Sequence, residues 1–110
     1  MTLANSMRAL LIAAALISPV GAYAADPDPA AGKLKFNSNC GSCHGEDAVQ
    51  ADPAADLRQL QKRHADKTWE VFTKTVIEGN PEKGMPAWEG VLTAEDLADI
   101  QEFLKAAQTP

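Results

Sequence analysis

The chain has 110 residues, enough for one domain, and carries ten Lys and Arg against fifteen Asp and Glu, a formal charge of −5. This acidity argues against nucleic acid as a partner, because binding to phosphates requires an excess of basic side chains.

The first segment of the chain has the pattern of a signal peptide. Arg8 precedes an unbroken apolar run over residues 9–17, and residues 22–24 supply the small side chains expected before a cleavage site. The run has nine residues, against roughly 20 needed to span a bilayer, so we expect no stable membrane insertion. The sequence therefore predicts a signal peptide over residues 1–24 and export to the periplasm.

The remaining chain would have 86 residues and a formal charge of −6. Residues 25–29 contain two prolines and predict an extended lead-in, followed by a single domain over residues 30–110. A chain of this size is small for a hydrophobic core to stabilise without a cross-link, a metal or a prosthetic group. We therefore expect something to supplement the core, and we expect the protein to be a monomer.

The first predicted helix runs from Ala30 to about Cys40. Gly32, Phe36 and Cys40 recur at a spacing of four residues, which places them on one helix face. The glycine on that face indicates either close approach of another backbone or a frayed first turn.

The second predicted helix begins after Asp66, which has the character of an N-cap, and ends at Gly79, which has the character of a C-terminal cap. Phe72 and Val76 follow Trp69 by three and seven residues, which is the spacing of one helix face. This helix therefore has one apolar side to bury.

The other segments divide into two loops and a final helix. Residues 45–65 have no clean period and predict a loop with one short helical piece, and residues 80–92 contain too many Pro and Gly for regular structure. Thr93 and Asp96 resemble a capping box. The apolar stripe of the last helix consists of Leu97, Ile100, Phe103 and Leu104. With no strand pattern present, the sequence predicts an all-α domain of three main helices and one short helix.

Cys40, Cys43 and His44 form the Cys-x-x-Cys-His pattern that is typical of covalent haem attachment. The two thiols can add across the vinyl groups of a haem, and the histidine delivers imidazole to the iron from the same turn. The sequence therefore predicts one haem c, attached through two thioether bonds, with His44 as an iron ligand. The haem would also supply the apolar contact area that so short a chain lacks.

Three alternatives account less well for this motif. A thioredoxin-like redox pair would need a strand before its helix, and no such pattern is present. A zinc site would join the cysteines to His44 or His64, but adjacent Cys43 and His44 are poorly spaced for one tetrahedron. A structural disulfide leaves the histidine unexplained.

The sixth iron ligand has two candidates. Met85 is the only methionine of residues 25–110, and His64 is their only histidine besides His44. Met85 lies between a glycine and a proline in a loop, which favours presentation of its thioether, whereas His64 lies in a charged cluster typical of a surface. Met85 is the predicted ligand, with ligation by two histidines or an open sixth position as alternatives.

Further residues are predicted to surround the haem. The backbone carbonyl of Pro53 is a candidate acceptor for the second imidazole N–H, and Arg58 or Arg63 is a candidate to hold a haem propionate. The candidates for the apolar pocket are Leu57, Leu60, Trp69, Phe72, Trp88 and Leu92.

Phe36 in the first helix, the motif over residues 40–45, the loop over residues 84–86 and Phe103 in the last helix together resemble a class I cytochrome c. The resemblance covers essentially the whole of the predicted mature chain. It implies that the first and last helices cross near Gly32 and Phe103, that one haem edge is exposed and that the iron is six-coordinate.

Three shorter segments, residues 44–49, 56–60 and 83–92, are similar to the periplasmic cytochromes c that serve PQQ-dependent alcohol dehydrogenases. This resemblance implies a one-electron carrier that accepts electrons from such a quinoprotein and passes them to a terminal oxidase or another cytochrome. We therefore expect an electron-transfer protein and not an enzyme, with no catalytic residue. The alternatives are a carrier for a different periplasmic redox enzyme, a small haem peroxidase, a gas-binding haem protein or a permanent dehydrogenase subunit.

Overall fold

The computed structural model describes residues 26–110, so the predicted signal peptide over residues 1–24 and its cleavage lie outside the described residues. Helices dominate this part of the chain, and no strand occurs within it. The α-helices are α1 (Pro29–Asn39), α2 (Gly41–His44), α3 (Leu60–His64), α4 (Thr68–Glu78) and α5 (Ala94–Ala107). Short 3₁₀ turns lie in the connections at Glu46–Ala48, Leu57–Gln59, Ala65–Lys67 and Pro81–Lys83.

The all-α prediction is confirmed. The three main helices are α1, α4 and α5, with 11, 11 and 14 residues. The predicted short helical piece of the long loop is α3, and the Cys-x-x-Cys-His motif adds a helical turn of its own, α2. No helix among residues 26–110 has both the length and the apolar character to cross a bilayer.

Helix α1 begins at Pro29, one residue before the predicted start. Asp28 caps it, because its side-chain Oδ1 accepts a hydrogen bond from the backbone N–H of Ala30 at 2.9 Å. The proline suits the first helical position, where its missing N–H costs nothing.

Helices α1 and α5 cross in direct backbone contact at Gly32. A Cβ atom at this position would lie 1.9 Å from the backbone oxygen of Asp99 and 2.9 Å from the amide nitrogen of Ile100. Next to the crossing, the rings of Phe36 and Phe103 pack with their centroids 5.3 Å apart. Gly32 therefore allows the close approach of another backbone, which was one of its two predicted roles, and it does not mark a frayed first turn. The crossing also lies near Gly32 and Phe103, as the resemblance implied.

A buried carboxylate reinforces this crossing. Asp99 is only 5% exposed, and its side chain accepts hydrogen bonds from the Asp28 amide at 2.8 Å and from the Lys35 ammonium at 2.7 Å. Lys35 also forms an ion pair with Asp96 at 2.9 Å. The Lys35 hydrogen bond, followed by that of the Asp28 amide, holds the pKa of Asp99 below its usual value. The sequence pattern placed Asp99 on the last helix without indicating this role.

The predicted N-cap of α4 is wrong. Asp66 lies inside the 3₁₀ turn Ala65–Lys67, which runs directly into the helix, so Lys67 occupies the N-cap position without a side-chain cap. The buried Thr68 hydroxyl donates instead to the backbone oxygen of Ala65 at 2.6 Å. At the other end the prediction is confirmed, because Gly79 is the C-cap.

The predicted capping box of α5 is confirmed. The Thr93 side chain accepts from the Asp96 amide, and the Asp96 carboxylate accepts from the Thr93 amide, both at 3.0 Å. The core between the helices is small, as the chain length implies. It consists of Phe36, Ala48, Leu60, Phe72, Val76, Ile100 and Leu104.

The helix crossing predicts that Gly32→Ala destabilises the protein. The added methyl group would collide with backbone atoms that cannot move independently, so we expect the free energy of unfolding to fall by about 3 kcal/mol. Gly41→Ala is the control, because a Cβ there would meet its nearest neighbour at 3.9 Å. Denaturant unfolding of both variants measures the difference, and equal stabilities would contradict the close crossing.

The carboxylates at the crossing predict loss of stability in acid. The hydrogen bond from the Thr93 amide, followed by that from Lys35, lowers the pKa of Asp96 to about 2. A carboxylate whose pKa is lowered by folding stabilises the protein above the unfolded pKa of about 4, and this contribution is lost as the pH falls through the folded pKa. We therefore expect the free energy of unfolding to fall between about pH 4 and pH 2.

Asp96→Asn should show a shallower fall over this window and a lower stability at neutral pH. Glu95→Gln, an exposed neighbour on the same turn, removes the same formal charge and is the control. Urea unfolding at a series of pH values distinguishes them. Identical pH profiles for the two variants would show that the Asp96 contacts contribute nothing.

Candidate haem-binding site

Helix α1 leads directly into the Cys-x-x-Cys-His motif. The Cys40 amide donates to the backbone oxygen of Phe36 at 2.7 Å, and the His44 amide donates to that of Cys40 at 2.9 Å. The motif is therefore a helical turn attached to the end of α1. Because residues four apart lie on one side of such a turn, Cys40 and His44 face the same way.

The two cysteines differ in exposure. Cys40 is half-buried beside the core, whereas Cys43 is exposed, and the two form no disulfide with each other. Burial, followed by the proximity of Cys43, raises the pKa of Cys40 to about 11. The thioredoxin-like alternative needs a strand before its Cys-x-x-Cys helix, and no strand occurs within residues 26–110.

The imidazole of His44 is oriented by a backbone carbonyl, but the predicted acceptor was wrong. Its Nδ1 lies 2.8 Å from the backbone oxygen of Ala55. The carbonyl of Pro53, the predicted partner, accepts from the guanidinium of Arg63 instead. A proton on Nδ1 donated to Ala55 leaves Nε2 as the free nitrogen, which is the tautomer that an iron ligand requires.

The loop that supplies this carbonyl is braced by two arginines. Arg58 donates from Nε to Asp56 Oδ1 at 3.0 Å and from Nη2 to the Gln50 carbonyl at 3.4 Å, and Arg63 donates to the Asp56 carbonyl at 3.2 Å. The Arg58 hydrogen bond is the main cause of a lowered pKa at Asp56. Both predicted propionate partners thus hold the backbone on either side of Ala55.

The segment that carries Met85 is held by three backbone hydrogen bonds. Asn80 and Met85 form an isolated antiparallel bridge, in which each amide donates to the other carbonyl, at 2.9 and 3.0 Å. The Trp88 amide donates to the carbonyl of Val76 at 2.9 Å, which ties the segment to the last turn of α4. The loop predicted as irregular is therefore fixed in place at Met85 itself and again at Trp88.

His44 and Met85 line the same narrow cleft. His64 lies at the end of α3, and it is absent from the described residues around that cleft. Three predicted pocket residues, Leu57, Phe72 and Leu92, also line the cleft, whereas Leu60, Trp69 and Trp88 pack in or against the core. The full lining is Phe36, Cys40, His44, Leu57, Phe72, Val76, Met85, Leu92, Leu97 and Ile100.

Four lining residues were predicted as helix faces but not as pocket residues: Phe36, Val76, Leu97 and Ile100. Their helical spacing was the signal that could have identified them as pocket residues. In so small a protein the apolar stripe of each long helix must contact both the core and the cofactor. The Ala55 carbonyl had no such signal, because any residue provides a backbone oxygen.

The residues present fit a haem. One thiol and one imidazole belong to the same helical turn, a thioether lines the same cleft, and the remaining lining is apolar. They do not fit the zinc alternative, because no three His, Cys, Asp or Glu side chains gather as a metal site within residues 26–110. Cys40, Cys43 and His44 would hold the haem, and Met85 would complete the coordination of its iron.

Comparison with known proteins agrees with this arrangement. Residues 27–104 match the family model described as cytochrome c oxidase, cbb3-type, subunit III. The chain is 29% identical over 99 residues to the chloroplastic cytochrome c6 of Chlamydomonas reinhardtii, covering 87% of this chain and 66% of the relative. It is 32% identical over 78 residues to cytochrome c550 of Pseudomonas aeruginosa, covering 68% of this chain and 52% of the relative.

The chain thus spans less than two thirds of the length of either relative, while the family match covers most of the chain. Both relatives are cytochromes c. The all-helical fold, the Cys-x-x-Cys-His turn and the family match lead to one assignment: this chain belongs to the cytochrome c family.

Proposed function

We propose that this protein is a periplasmic one-electron carrier with a single haem c, attached through Cys40 and Cys43 and ligated by His44 and Met85. The observation that carries the proposal is the arrangement of one cleft, in which an oriented imidazole and a methionine thioether stand among apolar side chains. The haem supplies the Fe(III)/Fe(II) couple, and the chain supplies its ligands and surroundings.

The contacts of this chain favour the reduced form of such a centre. A thioether opposite imidazole stabilises ferrous iron relative to a second imidazole, and apolar burial disfavours the extra charge of the oxidised form. The hydrogen bond from His44 to the Ala55 carbonyl fixes the ring and selects the tautomer in which Nδ1 carries the proton. Together these features suit a carrier of relatively high potential.

The exposure of Cys43 supports transfer to a partner protein. Cys40 lies against the core and Cys43 lies at the surface, so the proposed attachment site is at the edge of the core. Electrons could then enter or leave without a long path through the protein. We expect a monomer that meets its donor and acceptor by transient contact.

The proposed donor is a PQQ-dependent alcohol dehydrogenase, and the proposed acceptor is a terminal oxidase or another cytochrome. The donor rests on the similarity of residues 44–49, 56–60 and 83–92 to cytochromes that serve such enzymes. The family model supports an oxidase as acceptor, because it is described as an oxidase subunit. The proposed location follows from the signal-peptide pattern of residues 1–24.

Replacing Met85 tests the ligand assignment. Thioether ligation gives the oxidised protein a weak absorbance band at the long-wavelength edge of its spectrum. In Met85→Ala we expect this long-wavelength band to disappear and carbon monoxide to bind the reduced protein. The reduction potential should fall by on the order of 0.1 V, within the roughly 0.8 V range that axial ligands span.

His64→Ala is the control for this experiment and should leave spectrum, potential and carbon monoxide binding unchanged. The reverse pattern, with the spectrum altered by His64→Ala and not by Met85→Ala, would establish ligation by two histidines. Rapid carbon monoxide binding by the unmodified reduced protein at neutral pH would instead favour a gas-binding role.

Reduction by the proposed donor tests the partner. We expect the oxidised cytochrome to be reduced when purified PQQ-dependent alcohol dehydrogenase and an alcohol are added together, and to remain oxidised when either is omitted. Absorbance of the reduced haem follows the reaction. If a small-molecule reductant reduces the cytochrome but the enzyme and alcohol do not, the alcohol dehydrogenase assignment fails and a carrier for another redox enzyme remains.

A further inference from the structure

The residue that ends α4 has a backbone conformation reserved for glycine. Gly79 has φ +73° and ψ −178°. This combination lies in the region that only glycine occupies readily, because a Cβ atom there clashes with its own backbone. The chain therefore turns at residue 79 in a direction that any other residue would resist.

Gly79 is also packed against the segment that presents the thioether. A Cβ atom at residue 79 would lie 2.8 Å from the Met85 carbonyl oxygen, 2.8 Å from the Pro86 carbonyl carbon and 2.7 Å from the Ala87 amide nitrogen. Cβ atoms essentially never approach other heavy atoms within 3.0 Å. All three neighbours are backbone atoms, so no rotation of a side chain could relieve the contact.

The hydrogen bonds on either side prevent this segment from retreating. The Asn80 amide donates to the same Met85 carbonyl at 2.9 Å, and the Trp88 amide donates to the Val76 carbonyl at 2.9 Å. The first bond joins the segment to Asn80, the residue that follows Gly79, and the second joins it to the end of α4. A side chain at residue 79 could be accommodated only by breaking one or both of them.

We propose that Gly79 is the positioning residue for the sixth iron ligand: its missing side chain lets the backbone of residues 85–87 dock on the end of α4, and this docking holds the Met85 thioether in the cleft. The inference rests on the proposed ligation by Met85 and adds the reason why the Met85 thioether lies in the cleft. Gly79 thereby controls whether the sixth position is closed.

Gly79→Ala should open the sixth position without removing any ligand. We expect loss of the long-wavelength band and a lower reduction potential. The apparent affinity of the reduced protein for carbon monoxide should rise about tenfold or more, because that affinity scales with the fraction of molecules whose iron is open.

Gly90→Ala is the matched control. Gly90 also has a positive φ, +76°, but a Cβ atom there would have no neighbour within 4 Å. The control therefore introduces an unfavourable backbone conformation in the same loop region without a collision. It should retain the band and bind carbon monoxide with an affinity within about twofold of that of the unmodified protein.

Hydrogen exchange on the haem-containing protein supplies a readout that does not depend on electron transfer. In Gly79→Ala the amides of Asn80, Met85 and Trp88 should lose protection while those of α5 keep it. Loss of protection throughout α5 would mean a general loss of structure and would contradict a positioning role. Retention of the band and of protection at Met85 would overturn the proposal directly.

If Gly79→Ala does not accumulate as folded protein, the unmodified protein decides the question. The amides of Asn80, Met85 and Trp88 should then exchange together, through one opening of the segment over residues 85–87. The equilibrium constant of this opening should equal the fraction of molecules with an open sixth position, as calculated from the weak carbon monoxide binding. Independent exchange of these amides would contradict docking as a unit.

Met85→Ala separates this inference from the proposed function. If Met85→Ala loses the band but Gly79→Ala does not, the ligation is correct and the role of Gly79 is wrong. If Met85→Ala keeps the band, the ligation itself is wrong and the inference falls with it.

Discussion

The backbone contact between α1 and α5 at Gly32 is the constraint on which the rest of the structure depends. Helix α1 continues into the turn that carries Cys40, and α5 contributes Leu97 and Ile100 to the wall of the cleft. The distance between these helices therefore sets the position of the attachment motif relative to that wall. The buried carboxylate of Asp99 secures the crossing, since it binds both α1 and the segment before it.

The two proposed iron ligands, in contrast, depend on irregular segments held by backbone hydrogen bonds. His44 is oriented by the carbonyl of Ala55, which lies in a loop braced by arginine side chains. Met85 is held by its bridge to Asn80 and by the docking of its segment on α4. In a chain with so small a core, the ties of each loop to a helix or to a neighbouring loop hold the proposed ligands in the cleft.

Much of this arrangement could be predicted from the sequence, where a side chain carries the signal. Helical spacing predicted the buried faces of Phe72 and Ile100, and the spacing of the cysteines predicted the attachment motif. Backbone contacts carry no such signal. The carbonyl of Ala55 therefore acts where Pro53 was expected, and the steric role of Gly79 was hidden behind its role as a helix end. Asp66 failed as an N-cap because a 3₁₀ turn precedes α4, a detail that composition does not reveal.

We propose above all that His44 and Met85, which line one cleft, both bind the haem iron. X-ray absorption at the iron edge of the oxidised, haem-loaded protein tests it most directly, because sulfur and nitrogen ligands scatter at different distances. We expect one sulfur atom in the first coordination shell together with the nitrogen atoms of the porphyrin and His44. A shell of nitrogen atoms alone, or a five-coordinate iron, would contradict the assignment of Met85.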